Sequence, residues 1–116
     1  MSHIEQLWQV TLPGGDYFSV KGTPNKDTKR LARRVNSRLK KLGFTTSDVT
    51  SVLSCVSMTT GICVRFTYRC QDGVWSMKVL IRCFNNSICP ILEWFDDLTY
   101  DRTLEITEKY SHEYLW

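Results

Sequence analysis

The chain has 116 residues, 42% of them apolar and 23% charged, with a net charge of +3. This composition excludes a disordered or fibrous protein, and the length fits a single domain over residues 1–116, with 1–4 and 111–116 as the segments freest to move. No apolar run approaches the about 20 residues of a membrane span, and the opening MSHIEQLWQV lacks the basic and apolar regions of a secretory signal, so a cytoplasmic or nuclear protein, neither secreted nor membrane-bound, is expected.

The first pattern is LWQVTLPGGDYFSVKG. Trp8, Val10 and Leu12 alternate before the turn, and Phe18 and Val20 after it. A two-residue Gly-Gly loop would send Phe18 to the wrong face. A three-residue loop, Pro13-Gly14-Gly15, opposes Val10 to Phe18 and Trp8 to Val20, with Gly at the final left-handed position.

NKDTKRLARRVNSRLKKLGF follows, with eight Lys or Arg and one Asp, a net +7. Thr28, Leu31, Ala32, Val35, Leu39 and Leu42 recur at helical spacing and predict one buried stripe. Thr23 or Asn25 can cap the helix, Pro24 suits its first turn, Gly43 ends it, and Phe44 can fold back onto the stripe. Lys26, Lys29, Arg30, Arg33, Arg34, Lys40 and Lys41 fall on the opposite arc, with Arg38 at its margin.

TTSDVTSVLSCVSM fits either element, and its β-branched residues favour a strand. ICVRFTYRCQDGVWSMKVLIRCF is a hairpin about Asp72-Gly73. A two-residue loop opposes Cys70 to Trp75, Tyr68 to Met77, Phe66 to Val79, Val64 to Ile81 and Ile62 to Cys83. Large apolar residues then share one face, and Arg65, Arg69, Lys78 and Arg82 stand on the other. CPILEWFDDL reads as a short helix with Ile91, Leu92, Phe95 and Leu98 inward and Trp94 off the stripe. TLEITEKY alternates Leu104 and Ile106 like a strand, with a helix as the alternative.

The expected fold class is α+β. A small antiparallel sheet, an N-terminal hairpin plus a central two- or three-stranded meander, packs against a basic amphipathic helix and a shorter acidic C-terminal helix. The order β-β-α-β-β-α-β is similar to that of ubiquitin-like β-grasp domains, and the order α-β-β-β-α over 23–98 to that of double-stranded-RNA-binding domains. These are likenesses of element order alone. The acidic loop motif of one β-grasp branch and the Lys-rich start of the RNA-binding domain's last helix are both absent, so neither family is assigned.

Charge is segregated along the chain. Residues 93–113 carry seven Asp or Glu against two Lys or Arg, a net −5. A solvated helix ordinarily mixes signs; like charges at i,i+4, such as Lys26–Arg30, Lys29–Arg33 and Arg30–Arg34, are mildly destabilising. An array of this kind serves polyanion binding. The expected function is therefore non-enzymatic binding of RNA or DNA. Lys26, Lys29, Arg30, Arg33, Arg34, Lys40 and Lys41 would contact phosphates, helped by Arg65, Arg69, Lys78 and Arg82 if helix and sheet face share one side. No aromatic stands among these sheet positions, so base stacking there is not expected.

The alternative is a protein-interaction module that engages an acidic partner, its own acidic end or a second copy through the same helix. Trp94, Tyr114 and Trp116 would anchor a partner, against the simpler reading that the tail closes the core.

Catalysis has little raw material. His3 and His112 are the only histidines. The adjacent Ser111, His112 and Glu113 do not converge on one atom, and a Cys nucleophile with His112 has no further support. Asp96 and Asp97, with Glu93 and Asp101, suit a solvated face better than a metal. The five cysteines, Cys55, Cys63, Cys70, Cys83 and Cys89, lack zinc-knuckle spacing and read as reduced thiols in the core. Asn85 to Ser87 form a glycosylation sequon that reads as a turn or cap. No catalytic residue, metal or cofactor is expected.

Overall fold

The computed structural model of the chain describes residues 4–22, 27–83 and 90–116. Its elements are β1 (Ile4–Thr11), β2 (Tyr17–Gly22), α1 (Thr28–Leu42), a 3-10 turn (Thr46–Asp48), β3 (Thr50–Ser57), β4 (Ile62–Gln71), β5 (Val74–Cys83), β6 (Ile91–Leu98) and α2 (Tyr100–Tyr114). The strands form one sheet in the order β2-β1-β3-β4-β5-β6, each antiparallel to its neighbours. The class is α+β as expected, with a larger sheet. β2 and β3 flank β1 and so run parallel, and α1 is the crossover between them.

Both hairpins have the expected registers. Val10 opposes Phe18 and Trp8 opposes Val20, with Leu12 and Asp16 closing the loop (Leu12 N–H to Asp16 O, 2.6 Å) and Gly15 at φ +100°. In the second hairpin all five expected pairs occur, from Cys70–Trp75 to Ile62–Cys83. Asp72 and Gly73 both have positive φ, as a type I′ turn requires.

α1 starts later than its sequence suggests. Asp27 is the cap, its carboxylate accepting from the Arg30 N–H at 3.2 Å. Thr23, Pro24 and Asn25 lie outside the described residues. The one acid of the basic segment is thus the cap, and the helix itself contains none. At the other end Gly43 is left-handed, and the Phe44 N–H reaches the Leu39 carbonyl at 3.0 Å. Thr28, Leu31, Ala32, Val35 and Leu39 are buried, but Leu42 is exposed.

Near the C-terminus one expectation is overturned and one open alternative is decided. Residues 91–98 are a strand, not a short acidic helix. Phe95 and Leu98 share a face, which looks helical at a spacing of three, but a bulge produces it. Met77 opposes Phe95 while Trp75 opposes Leu98, so the pairing shifts by one residue, and Asp97 takes φ 57° there. As a strand this segment also pairs the edge of β5. Ile91 and Leu92 are exposed rather than inward.

Residues 100–114 are a helix as long as α1, so of the two readings of TLEITEKY, strand or helix, the helix holds. Its inward stripe includes Thr103, Thr107 and Ser111, all buried, and those hydroxyls conceal the apolar periodicity. The order is therefore β-β-α-β-β-β-β-α, unlike either order considered above.

Both helices cover the same face of the sheet. Leu31, Val35 and Leu39 of α1 and Leu104 and Ile106 of α2 join Ile4, Trp8, Val10, Leu53, Val64, Phe66 and Val79 in one core. The strand residues of opposite parity form a second face that carries no helix.

A buried hydroxyl chain fixes α2 to β4. Thr107 Oγ1 donates to the Thr103 carbonyl at 2.8 Å, so the 2.6 Å contact between Tyr68 and Thr107 has the tyrosine as donor. Thr107→Val should therefore destabilise the fold by about 1–3 kcal/mol, because it leaves the Tyr68 hydroxyl buried without an acceptor. Urea unfolding checks this, and adding Tyr68→Phe should recover part of the loss.

Candidate nucleic-acid interface

The outward side of α1 is a ladder. Arg30, Arg33, Arg34, Ser37, Arg38 and Lys41 follow one another at i, i+3, i+4, i+7, i+8 and i+11, and they line an open groove of about 620 Å³. Five of the six are cations, and none is an acid. From Arg30 to Lys41 the ladder runs about 16 Å at 1.5 Å per residue. That span matches about five phosphates at 3.4 Å per strand of a duplex.

The cations differ in what holds them. Arg34 Nη1 donates to the Lys21 carbonyl at 3.0 Å, and Arg38 Nη1 to the Ser19 carbonyl at 3.5 Å. Arg38 also lies over the Phe18 ring, 4.9 Å from its centroid. Both arginines thereby cover carbonyls of the edge strand β2, a place where other chains could otherwise pair. Each guanidinium has five N–H donors, so both are oriented at the groove's wall with donors to spare. Arg33 stands 4.0 Å from Asp27 across an exposed pair worth little.

Lys29 and Lys40 are exposed beside the ladder but do not line the groove. Lys26 lies outside the described residues, as do His3, Phe84, Asn85 to Ser87 and Cys89.

The acidic C-terminal segment meets α1 only in part. A second cleft of about 340 Å³ between the helices is lined by Lys29, Arg33, Asn36, Tyr100, Asp101 and Glu105, among others. Among the described residues no ion pair within 4.0 Å crosses it. Glu105 is held instead by Arg102 on its own helix, at 2.9 Å. Burial raises the Tyr100 hydroxyl's pKa, Asn36 counters the rise in part and Asp101 adds to it. Self-docking of the charged helices is therefore packing with long-range attraction; Arg33 lines both the cleft and the groove, and the other four cations of the groove do not line the cleft.

The second basic group is separated from the first. Arg65, Arg69, Lys78 and Arg82 alternate with core residues of β4 and β5, so they stand on the uncovered face, opposite α1. The continuous basic surface considered from sequence does not form; there are two surfaces with the sheet between them. Cys63 lies on the open face near Arg65 and Arg82. Its burial raises the thiol's pKa, and the two cations oppose the rise.

Trp94 is where sequence reasoning fell short. Because β6 is a strand, its indole joins the open face next to Lys78, its register partner. It is 66% exposed, with Lys78 Nζ 5.3 Å from the ring centroid. An aromatic does therefore stand among the sheet cations. The tail residues behave otherwise: Tyr114 stacks on Tyr110, Leu115 is buried, and Trp116 packs half-buried against the core. Tyr114 and Trp116 are thus packed partly buried against the core.

The remaining chemistry is sparse. Ser111 is buried, while His112 and Glu113 point outward on α2. Among the described residues no group of three or more His, Cys, Asp or Glu is placed to hold a metal ion. The four described cysteines are free thiols, and burial lifts Cys55 to about 12, where it is protonated and unreactive. No helix of the described residues is long and apolar enough to cross a membrane. No family model, no curated protein and no solved structure matches the chain.

Proposed function

We propose that this protein binds RNA or DNA without catalysing a reaction, holding the phosphate backbone along the groove of α1. The observation that carries this reading is the ladder of Arg30, Arg33, Arg34, Arg38 and Lys41, five cations lining one groove with no carboxylate among them. Concentrated positive charge of this sort carries a standing repulsion within the helix, which a polyanion removes. Contacts to phosphate carry no sequence information, so affinity should be similar for unrelated sequences. Such a role fits a cytoplasmic or nuclear protein.

Fluorescence anisotropy with labelled RNA and DNA tests this. Binding well below millimolar at low salt, alike for two unrelated sequences, is expected. Binding no tighter than millimolar to any nucleic acid would remove the proposal.

A second reading has one observation of its own. The cleft between the helices brings Lys29 and Arg33 to the same place as Asp101 and Glu105, so α1 already attracts carboxylates from one side. An acidic protein partner, or a second copy, would use the groove side in the same way. A pull-down treated with nuclease separates the two: loss of the captured partners supports nucleic acid, and a partner that survives supports the protein module.

A further inference from the structure

The uncovered face of the sheet is built differently from α1. Its rows, read across the strands, are Gln9–Val52–Thr67–Lys78–Trp94 and Leu7–Ser54–Arg65–Leu80–Leu92. Half of these ten positions are apolar, and the rest are two cations, two small hydroxyls and one amide. At the β6 end of the first row lies a hollow of about 470 Å³, more enclosed than the groove of α1. Thr67, Arg69, Ser76, Lys78, Trp94 and Asp96 line it.

Each component suits an unpaired nucleobase. The indole of Trp94 is flat and largely exposed, with Lys78 Nζ over one face at 5.3 Å, so a base would stack on the other face or displace the ammonium towards its phosphate. Stacking needs both partners' faces, and a duplex keeps its base faces covered, so this surface is usable by a single strand only. Thr67 and Ser76 offer hydroxyls that can donate or accept, and Asp96 offers an acceptor for a base amine. Arg69 and Lys78 place positive charge at the rim, where the phosphates on either side of a stacked base would fall. Arg65 extends that charge along β4.

We propose that the open sheet face is a single-strand-binding surface, with one unpaired base stacked on Trp94 in the hollow and its flanking phosphates on Arg69 and Lys78. This rests on the reading of the chain as a nucleic-acid binder and names the form of nucleic acid bound. It also assigns the two basic surfaces different tasks: α1 takes backbone charge from any strand, and the sheet face takes bases from an unpaired one.

The test compares a short labelled oligonucleotide, single-stranded and as its duplex, against wild type, Trp94→Ala and Trp94→Phe. Trp94 is exposed, so neither variant threatens the fold. Wild type should hold the single strand more tightly than the duplex. Trp94→Ala should weaken the single strand by about 5- to 150-fold, the range carried by stacking of one base, with the duplex unchanged. Trp94→Phe should keep most of the affinity. If Trp94→Ala binds the single strand like wild type while charge reversal on α1 weakens binding, the sheet-face proposal is wrong and the function of α1 stands. If wild type binds neither form, both fail. Light scattering supplies one more outcome: a dimer that Trp94→Ala dissociates would make this face a self-association surface and overturn the proposal.

Discussion

Reversing three charges along the ladder, Arg30→Glu with Arg33→Glu and Lys41→Glu, should weaken nucleic-acid binding by about two orders of magnitude. The figure takes roughly 1 kcal/mol for each lost contact at an exposed site, converted at 1.36 kcal/mol per tenfold. New repulsion from the acids adds to it. These three are the appropriate positions because all are exposed and none covers the edge of β2. Arg34 and Arg38 are left in place, since removing them would uncover the Lys21 and Ser19 carbonyls and confuse binding with association. The fold should lose about 1 kcal/mol or less, because these are exposed charges; the main loss is at 33, where an acid would face Asp27 and the cleft's Asp101 and Glu105. An acid at position 30 stands i,i+4 from Arg34, a favourable pair of a few tenths of a kcal/mol, while the change at 41 removes a cation from the last turn and loses a similar amount. Anisotropy gives the affinity, and a thermal melt confirms that the variant is folded.

The largest effect on stability should come from Trp8→Ala. Trp8 sits on β1, 2% exposed, stacked on Tyr68 with ring centroids 5.4 Å apart. The strand joins the hairpin to the rest of the sheet, pairing β2 on one side and β3 on the other. Truncation of a buried aromatic costs about 3–5 kcal/mol, against a total of about 5–15 kcal/mol for a domain. In a chain of this size that lowers Tm by roughly 12–20 °C. Trp8→Phe, which keeps most of the buried area, should lose clearly less. Equal losses for the two variants, or a loss below about 1 kcal/mol for Trp8→Ala, would show that this position does not anchor the core.

The parts of the fold readable from sequence are those where local chemistry decides the outcome. At Pro13-Gly14-Gly15 two loop lengths are open and the alternation of Trp8, Val10, Phe18 and Val20 selects the three-residue one, while Asp72-Gly73 specifies a two-residue loop whose register the alternation of Phe66, Tyr68, Met77 and Val79 then checks. The stripe of α1 is likewise explicit in Leu31, Val35 and Leu39. The two C-terminal elements were hidden for opposite reasons. In β6 the bulge at Asp96 and Asp97 put Phe95 and Leu98 on one face and imitated a helix. In α2 the buried Thr103, Thr107 and Ser111 erased the apolar helical stripe and left Leu104 and Ile106 to imitate a strand.

The candidate site was legible to the same degree. The outer arc of α1 follows directly from helical spacing, and so does the shared face of Arg65, Arg69, Lys78 and Arg82. That these two surfaces lie on opposite sides depends on which face of the sheet the helices cover, which no local pattern states. The position of Trp94 beside Lys78 depended on the element type of β6. The covering role of Arg34 and Arg38 depended on β2 being the edge strand, a property of topology alone.

The salt dependence of nucleic-acid affinity for wild type and for Arg30→Gln with Arg33→Gln and Lys41→Gln tests the central claim most directly. Five phosphate contacts along the ladder give a slope of log K against log salt of about −4.5 on a duplex and about −3.5 on a single strand. A fourfold rise in salt should then weaken wild type by about 100- to 500-fold. Neutralising three of the five should flatten the slope by about 2 to 3. Identical slopes for the two proteins, or a wild-type slope near zero, would mean that the cations of α1 do not meet phosphates.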